Sequence, residues 1–144
     1  MTFLSTNRKL KLNLQHIDHK DVMPMISRMT EAEEKLADII WSNEPIASKD
    51  LISICSQKLD WKKSTTYTLL KRLEDKKIFK NEKSVITSLV TKNDYLAQQG
   101  CKFIDTEFGG SLPAFISAFT KKRKLTKTDI ISIKEMIKNF EEVE

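Results

Sequence analysis

Residues 61–76 read Trp61-Lys62-Lys63-Ser64-Thr65-Thr66-Tyr67-Thr68-Leu69-Leu70-Lys71-Arg72-Leu73-Glu74-Asp75-Lys76. At about 100° per residue, Thr66, Leu69, Leu70 and Leu73 fall on one side of a helix that starts after Trp61 and runs to about Lys76. Ser64, Thr68, Lys71 and Asp75 take the opposite side, flanked by Thr65 and Arg72 on one edge and Tyr67 on the other. Such a helix buries one face and shows hydroxyls and cations on the other. Directly after it come Ile78-Phe79-Lys80 and Val85-Ile86-Thr87-Ser88-Leu89-Val90, two β-prone runs around Asn81-Glu82-Lys83-Ser84. A polar turn between two such runs reads as a hairpin.

Two shorter helices are expected upstream. Thr30-Glu31-Ala32-Glu33 matches a capping box, in which the Thr hydroxyl and the Glu carboxylate satisfy backbone donors left open at a helix start. Leu36, Ile39 and Ile40 then repeat at helical spacing with Trp41 beside them, and Asn43 and Pro45 stop the helix. Ser48 is the expected cap of a second helix carrying Leu51, Cys55 and Leu59 on one stripe. Three helices followed by a two-stranded hairpin is the order of a winged helix-turn-helix, with the third helix as the groove reader.

Charge distribution supports the same direction. The 144 residues carry 25 Lys and Arg against 20 Asp and Glu. Between Trp61 and Lys83 lie eight basic residues (Lys62, Lys63, Lys71, Arg72, Lys76, Lys77, Lys80 and Lys83) against Glu74, Asp75 and Glu82, a local excess of five. The rest of the chain has 17 of each sign, so the whole excess sits in this one segment. A solvated lysine-rich helix is the plain alternative. Clustered cations that release phosphate counterions are the sharper one. Ser and Thr can bond base edges or phosphates, a Thr methyl can meet thymine, and Arg or Lys can bond guanine. Lys62 and Lys63 lie at the positive end of the third helix, where open N–H groups favour phosphate. At the hairpin, Lys83 at the tip and Lys80 before it suit backbone contacts. The expected DNA-binding set is Lys62, Lys63, Ser64, Thr65, Tyr67, Thr68, Lys71, Arg72, Lys80 and Lys83.

The last 53 residues are nearly neutral and helical. Leu96, Phe103, Ile104 and Phe108 mark a long helix ended by Gly109-Gly110. Ser111 opens another, with Leu112, Phe115, Ile116 and Phe119 at helical spacing. Thr126-Lys127-Thr128-Asp129 opens a last one, whose Ile130, Ile133, Ile137 and Phe140 follow a 3-4-3 rhythm. Three short amphipathic helices bury little alone, so these twelve apolar residues are the expected dimer interface. Packing on the preceding domain is the alternative. The fold class is thus mainly α. An N-terminal extension (1–24) precedes a winged helix-turn-helix DNA-binding domain (25–91) and a small all-helical dimerisation domain (92–144).

Several function classes fall away. The longest apolar runs are three or four residues, short of the roughly 20 that span a bilayer, and no secretory h-region opens the chain. Only Cys55 and Cys101 are present, so a disulfide framework is not expected and a reducing cytoplasm is. Three glycines leave no Gly-rich phosphate loop. His16, Asp18, His19 and Asp21 resemble metal ligands, but a solvated polar tail is the simpler reading. The alternation Arg8-Lys9-Leu10-Lys11-Leu12-Asn13-Leu14 before them fits an edge strand or an unpaired tail. With both histidines in that extension and no carboxylate pair in a recognisable motif, neither an enzyme nor a cofactor or metal is expected.

The ordered series Met29-Thr30-Glu31-Ala32-Glu33, Ile39-Ile40-Trp41, Asp60-Trp61 and Ser64 to Leu73 resembles the penicillinase-repressor family (BlaI/MecI, with the copper repressor CopY). Ser88-Leu89-Val90, Asp94-Tyr95, Phe108-Gly109-Gly110-Ser111, Ala118-Phe119 and Lys124-Leu125-Thr126 extend the likeness to about residues 25–140. The resemblance implies a homodimeric bacterial repressor of dyad-symmetric operators, with DNA contacts at Ser64, Thr65, Tyr67 and Thr68. It also implies an inducing protease as a partner, acting near Lys102-Phe103. Lys62 and Lys63 replace the family's small residues or proline, Tyr67 replaces its basic or polar reader, and Lys77 stands where it carries glycine. The copper branch ends in paired Cys-x-Cys motifs, whereas this chain ends Phe140-Glu141-Glu142-Val143-Glu144. Cys101 near the cleavage position is a candidate redox handle or an inert helical thiol.

Overall fold

The computed structural model describes residues 26–143. The extension, with its alternating segment and its four candidate metal ligands, lies outside them. The described chain divides into two compact units, residues 26–107 and 108–143.

In the first unit the elements follow as α1 (Glu31–Asn43), β1 (Ile46–Ala47), α2 (Ser48–Leu59), α3 (Lys63–Asp75), β2 (Phe79–Glu82), β3 (Val85–Ser88) and α4 (Lys92–Glu107). The capping box forms as expected: Glu33 N–H donates to Thr30 Oγ1 at 3.2 Å, and Thr30 N–H donates to Glu33 Oε1 at 3.1 Å. After α1, the Glu44 carboxylate accepts from Ser88 N–H (2.8 Å) and Ser88 Oγ (2.9 Å), tying the helix exit to β3. The sheet has three antiparallel strands in the order β1-β3-β2, where the sequence suggested two. Ile46 pairs with Ile86 and Ala47 with Val85. Two residues after a proline are too short to show alternation, and only pairing with β3 makes them a strand.

Ser48 is not the cap of α2. Ala47 holds that position without a side-chain bond. Ser48 is the first helical residue, buried, and its N–H donates to Ser84 O at 2.9 Å. The helix start is therefore fastened by the hairpin turn. That turn is also tighter than the four residues expected. Glu82 pairs with Val85, leaving Lys83 (φ 52°) and Ser84 (φ 64°) as a two-residue loop. Left-handed conformations at both positions match the twist of the flanking strands. β3 ends at Ser88; Leu89 and Val90 leave the ladder, and both N–H groups donate to Ile78 O.

Thr66, Leu69, Leu70 and Leu73 of α3 are buried, as their spacing required. They meet Leu36 and Ile40 of α1, Leu51 and Cys55 of α2, Ile78 after α3, and Phe79 and Ile86 of the sheet in a single core. Trp41 packs on Phe79 with ring centroids 5.3 Å apart and on Tyr95 at 6.2 Å, and its indole N–H donates to Val90 O at 3.0 Å. Three helices and this small sheet are compatible with a winged helix. Tyr95 is the buried residue of α4, and its hydroxyl accepts from Met29 N–H at 2.8 Å. The helix grouped with the second domain in the sequence thus begins in the core of the first unit. It ends at Glu107, so Phe108 lies outside it rather than at its end.

The second unit holds α5 (Leu112–Lys122) and α6 (Lys127–Val143). Gly109 (φ 57°) and Gly110 (φ 78°) turn the chain into α5. Ser111 caps α5, accepting from Ala114 N–H at 3.1 Å. Thr126 and Asp129 bond reciprocally at the start of α6 (3.3 and 3.0 Å), the same device as at α1 with a shorter acid. Phe115 stacks edge-on to Phe108 at 5.5 Å and tilts against Phe119 at 6.1 Å. No residue whose burial is described in this unit is buried in the single chain.

Candidate nucleic-acid interface

α3 starts without a side-chain cap. Lys62 occupies the cap position, and the first turn carries no acidic residue. The open N–H groups and positive helix end are therefore flanked by two lysines rather than neutralised. Further along, the inward stripe fixes which side chains stand outward. Ser64, Thr65, Tyr67, Thr68, Lys71 and Arg72 are all exposed, together with Lys62 and Lys63. The Lys63 ammonium lies 5.8 Å from the centroid of the Tyr67 ring, a cation–π distance that orients both. Ser64, Thr65, Thr68, Leu69 and Arg72 line a shallow open depression, closed on one side by Ala32 of α1. The capping-box register places Ala32 in the first turn of α1, but nothing local reveals that this turn crosses α3 beside the outward face.

On the hairpin, Lys80 and Lys83 are exposed, and the bond from Ser48 N–H to Ser84 O holds the tip against α2. All ten residues expected to meet DNA are thus outward-facing on α3 or the hairpin. They are not equivalent electrostatically. Lys71 lies 3.4 Å from Asp75 and Lys80 lies 3.1 Å from Glu82, both exposed pairs. Such pairs hold a cation by about 0–1 kcal/mol and give way to salt or to a phosphate. Lys62, Lys63, Arg72 and Lys83 form no ion pair among the described residues. Lys76 differs from the other cations of the segment: it turns inward to Glu33.

At the helix exit the structure replaces glycine with strain. Lys77 takes φ 63°, its N–H donates to Glu74 O at 2.9 Å, and Ile78 N–H donates to Leu73 O at 3.1 Å. These two bonds close the helix as a Schellman motif, with Ile78 and Leu73 buried against each other's turn.

This arrangement coincides with a known family. The family model described as penicillinase repressor matches residues 29–139, from the residue before the α1 cap to near the end of α6. The chain belongs to the penicillinase repressor family. A curated relative from Latilactobacillus sakei, named "Uncharacterized 16.5 kDa protein in ptsI 3'region", is 26% identical over 115 residues, covering 77% of this chain and 79% of the relative. Penicillinase repressors are DNA-binding regulators of transcription, and membership places this chain among them.

Of the twelve dimerisation candidates, Leu96, Phe103, Leu112, Ile130, Ile137 and Phe140 are exposed in the single chain, and Ile104, Phe108, Phe115, Ile116, Phe119 and Ile133 are half-buried. Ile131 (63% exposed) and Met136 (59%) join them on α6, outside the stripe read from the sequence. Lys102 and Phe103, where the family resemblance set a cleavage junction, lie inside α4. Cys55 is buried and Cys101 exposed. Burial pushes the Cys55 thiol up, only partly opposed by a hydrogen bond with Thr66. No group of three His, Cys, Asp or Glu residues suited to a metal occurs among the described residues. No described helix is long and apolar enough to cross a membrane.

Proposed function

We propose that this penicillinase repressor is a homodimer that binds a dyad-symmetric operator in the cytoplasm. α3 lies in the major groove and the β2–β3 hairpin acts as a wing on the adjacent backbone. The observation that carries this reading is the division of α3: four residues buried in the core, and an outward face of hydroxyls, one aromatic ring and cations. Ser64, Thr65, Tyr67 and Thr68 meet base edges, while Lys62, Lys63, Lys71, Arg72, Lys80 and Lys83 meet phosphates or guanine. The exposed apolar residues of α5 and α6 supply the contact between copies. An inducing protease acting near Lys102-Phe103 would first have to unwind α4 there.

The test is a mobility shift of the purified protein on its own upstream DNA, against random-DNA competitor and across a salt titration. Tight binding as one dimer per dyad is expected, with log affinity falling by about 0.9 per neutralised phosphate for each decade of salt. Thr68→Ala is expected to change sequence preference, and Lys71→Ala to weaken all duplexes alike. Binding no tighter than to random DNA at every upstream site would count against the operator reading and favour an acidic protein as the partner of this face.

A further inference from the structure

Lys76 is the cation of the basic segment that the fold withholds from the surface. Its side chain is 21% exposed, and its ammonium donates to Arg28 O at 3.0 Å and pairs with the Glu33 carboxylate. Glu33 is 2% exposed, and the oxygen that meets Lys76 is the same Oε1 that closes the capping box with Thr30 N–H. Burial alone would push this carboxyl up. The Lys76 and Thr30 hydrogen bonds, with the charges of Lys76 and Arg72, outweigh it and hold the carboxyl below the usual carboxylate range. The pair joins the first turn of α1 to the C-cap of α3, where a cation also suits the negative helix end.

The carbonyl that Lys76 contacts belongs to a short strap, residues 26–30, and α4 grips the strap from its other side. Ile26 N–H donates to Gln98 Oε1 at 3.2 Å, and Gln99 Nε2 donates to Ile26 O at 2.9 Å. Together with the bond from Met29 N–H to Tyr95, these contacts brace the exit of α3 against α1 directly and against α4 through the strap.

We propose that Lys76 and Glu33 are positioning residues for operator recognition: their part-buried pair sets the angle at which α3 leaves the core, and so the alignment of Ser64, Thr65, Tyr67 and Thr68 with base edges. Neither residue touches DNA, and the proposal rests on the reading of α3 as the groove helix. Such an ion pair adds little stability over apolar packing, but with Glu33 held in place by Thr30 N–H it restrains where the Lys76 end of α3 can sit. Side chains that read bases need placement within about 0.5 Å, whereas long lysines reach phosphates over a wider range. A tilt of α3 therefore loses discrimination before it loses attraction.

The experiment compares the wild type with Lys76→Arg, Lys76→Met, the double variant Glu33→Gln/Lys76→Met, and Lys83→Ala as a phosphate-contact control. Each is titrated against the tightest duplex selected from a random-sequence pool and against a random duplex, with the active fraction fixed by stoichiometric titration. Lys76→Met and the double variant are expected to bind the selected duplex at least about fivefold more weakly, the scale of one mismatched base pair. Their affinity for the random duplex and their salt slope should not change, and Lys76→Arg should keep the wild-type ratio. Lys83→Ala should weaken both duplexes and lower the slope by about 0.9. Should Lys76→Met fail to fold with Glu33 unpaired, the double variant carries the measurement, because it leaves no buried charge. Equal losses on both duplexes, or a slope lowered by about 0.9 in the Lys76 variants, would overturn the positioning role. A wild type that does not separate selected from random duplex overturns the repressor reading, and the positioning role with it. A wild type that discriminates, with the ratio unchanged in the Lys76 variants, overturns the positioning role alone.

Discussion

Glu33 keeps a negative charge in a place that little water reaches, and its neighbours carry a measurable consequence. Its carboxyl titrates lower in the folded chain than the ordinary value of 4.5, so the unfolded chain takes up this proton first as pH falls. The stabilisation from this group is therefore complete above about pH 4.5 and is lost as pH drops through the depressed folded value. Glu33→Gln should remove that part of the acid sensitivity. At pH 7 it should cost about 2 kcal/mol, less than the roughly 3–5 kcal/mol of a fully buried pair, because Lys76 can still reach water. Urea unfolding at pH 7 and at pH 4 checks both statements: the gap between variant and wild type should narrow at the lower pH. A gap that is constant with pH would mean the pair contributes nothing through ionisation.

Among the elements, the exit of α3 is one of the places where the chain holds a conformation its residue does not favour. Lys77 sits at φ 63°. A left-handed residue with a Cβ costs about 1–2 kcal/mol, part of which glycine gives back in unfolded-chain entropy. Lys77→Gly should raise stability by about 0.5–1 kcal/mol, seen as a higher midpoint in thermal unfolding with an unchanged helix signal. The Schellman bonds from Lys77 and Ile78 explain why the turn forms even with lysine there. Elements of this kind separate what sequence can show from what it cannot. The capping boxes at Thr30 and Thr126 and the buried stripe Thr66, Leu69, Leu70 and Leu73 were legible because the signal is local and periodic. The outward set on α3 followed from the same period. β1 was not legible, since Ile46 and Ala47 become a strand only through β3. Nor was the tight turn: Lys83-Ser84 lacks the Asn or Gly that usually announces one. Ser48 looked like a cap because its type favours caps, whereas its N–H is claimed by Ser84. Lys76 looked like surface because lysine usually is, and only the crossing of α1 and α3 turns it inward.

Taken as a molecule, the protein exposes much of its apolar surface on the helices that follow the first unit. Ile130, Ile131, Met136, Ile137 and Phe140 are between 39% and 63% exposed on α6, beyond what a lone chain usually leaves in one helix. If a second copy covers them, Ile137→Glu should give a monomer in sedimentation. Its affinity for a dyad duplex should fall by about 10²-fold or more, because two linked half-sites are replaced by one, while half-site binding stays. A dimer that survives this change would place the interface elsewhere. The division into two units also has a spectroscopic consequence. Trp41, Trp61, Tyr67 and Tyr95 all lie within residues 26–107, and the chain has no other tryptophan or tyrosine. Indole emission and near-ultraviolet dichroism from these rings therefore watch the first unit, with α5 and α6 silent, while far-ultraviolet dichroism sees every helix. Melting curves recorded by the two signals would superimpose if both units unfold together and separate if the dark unit opens on its own.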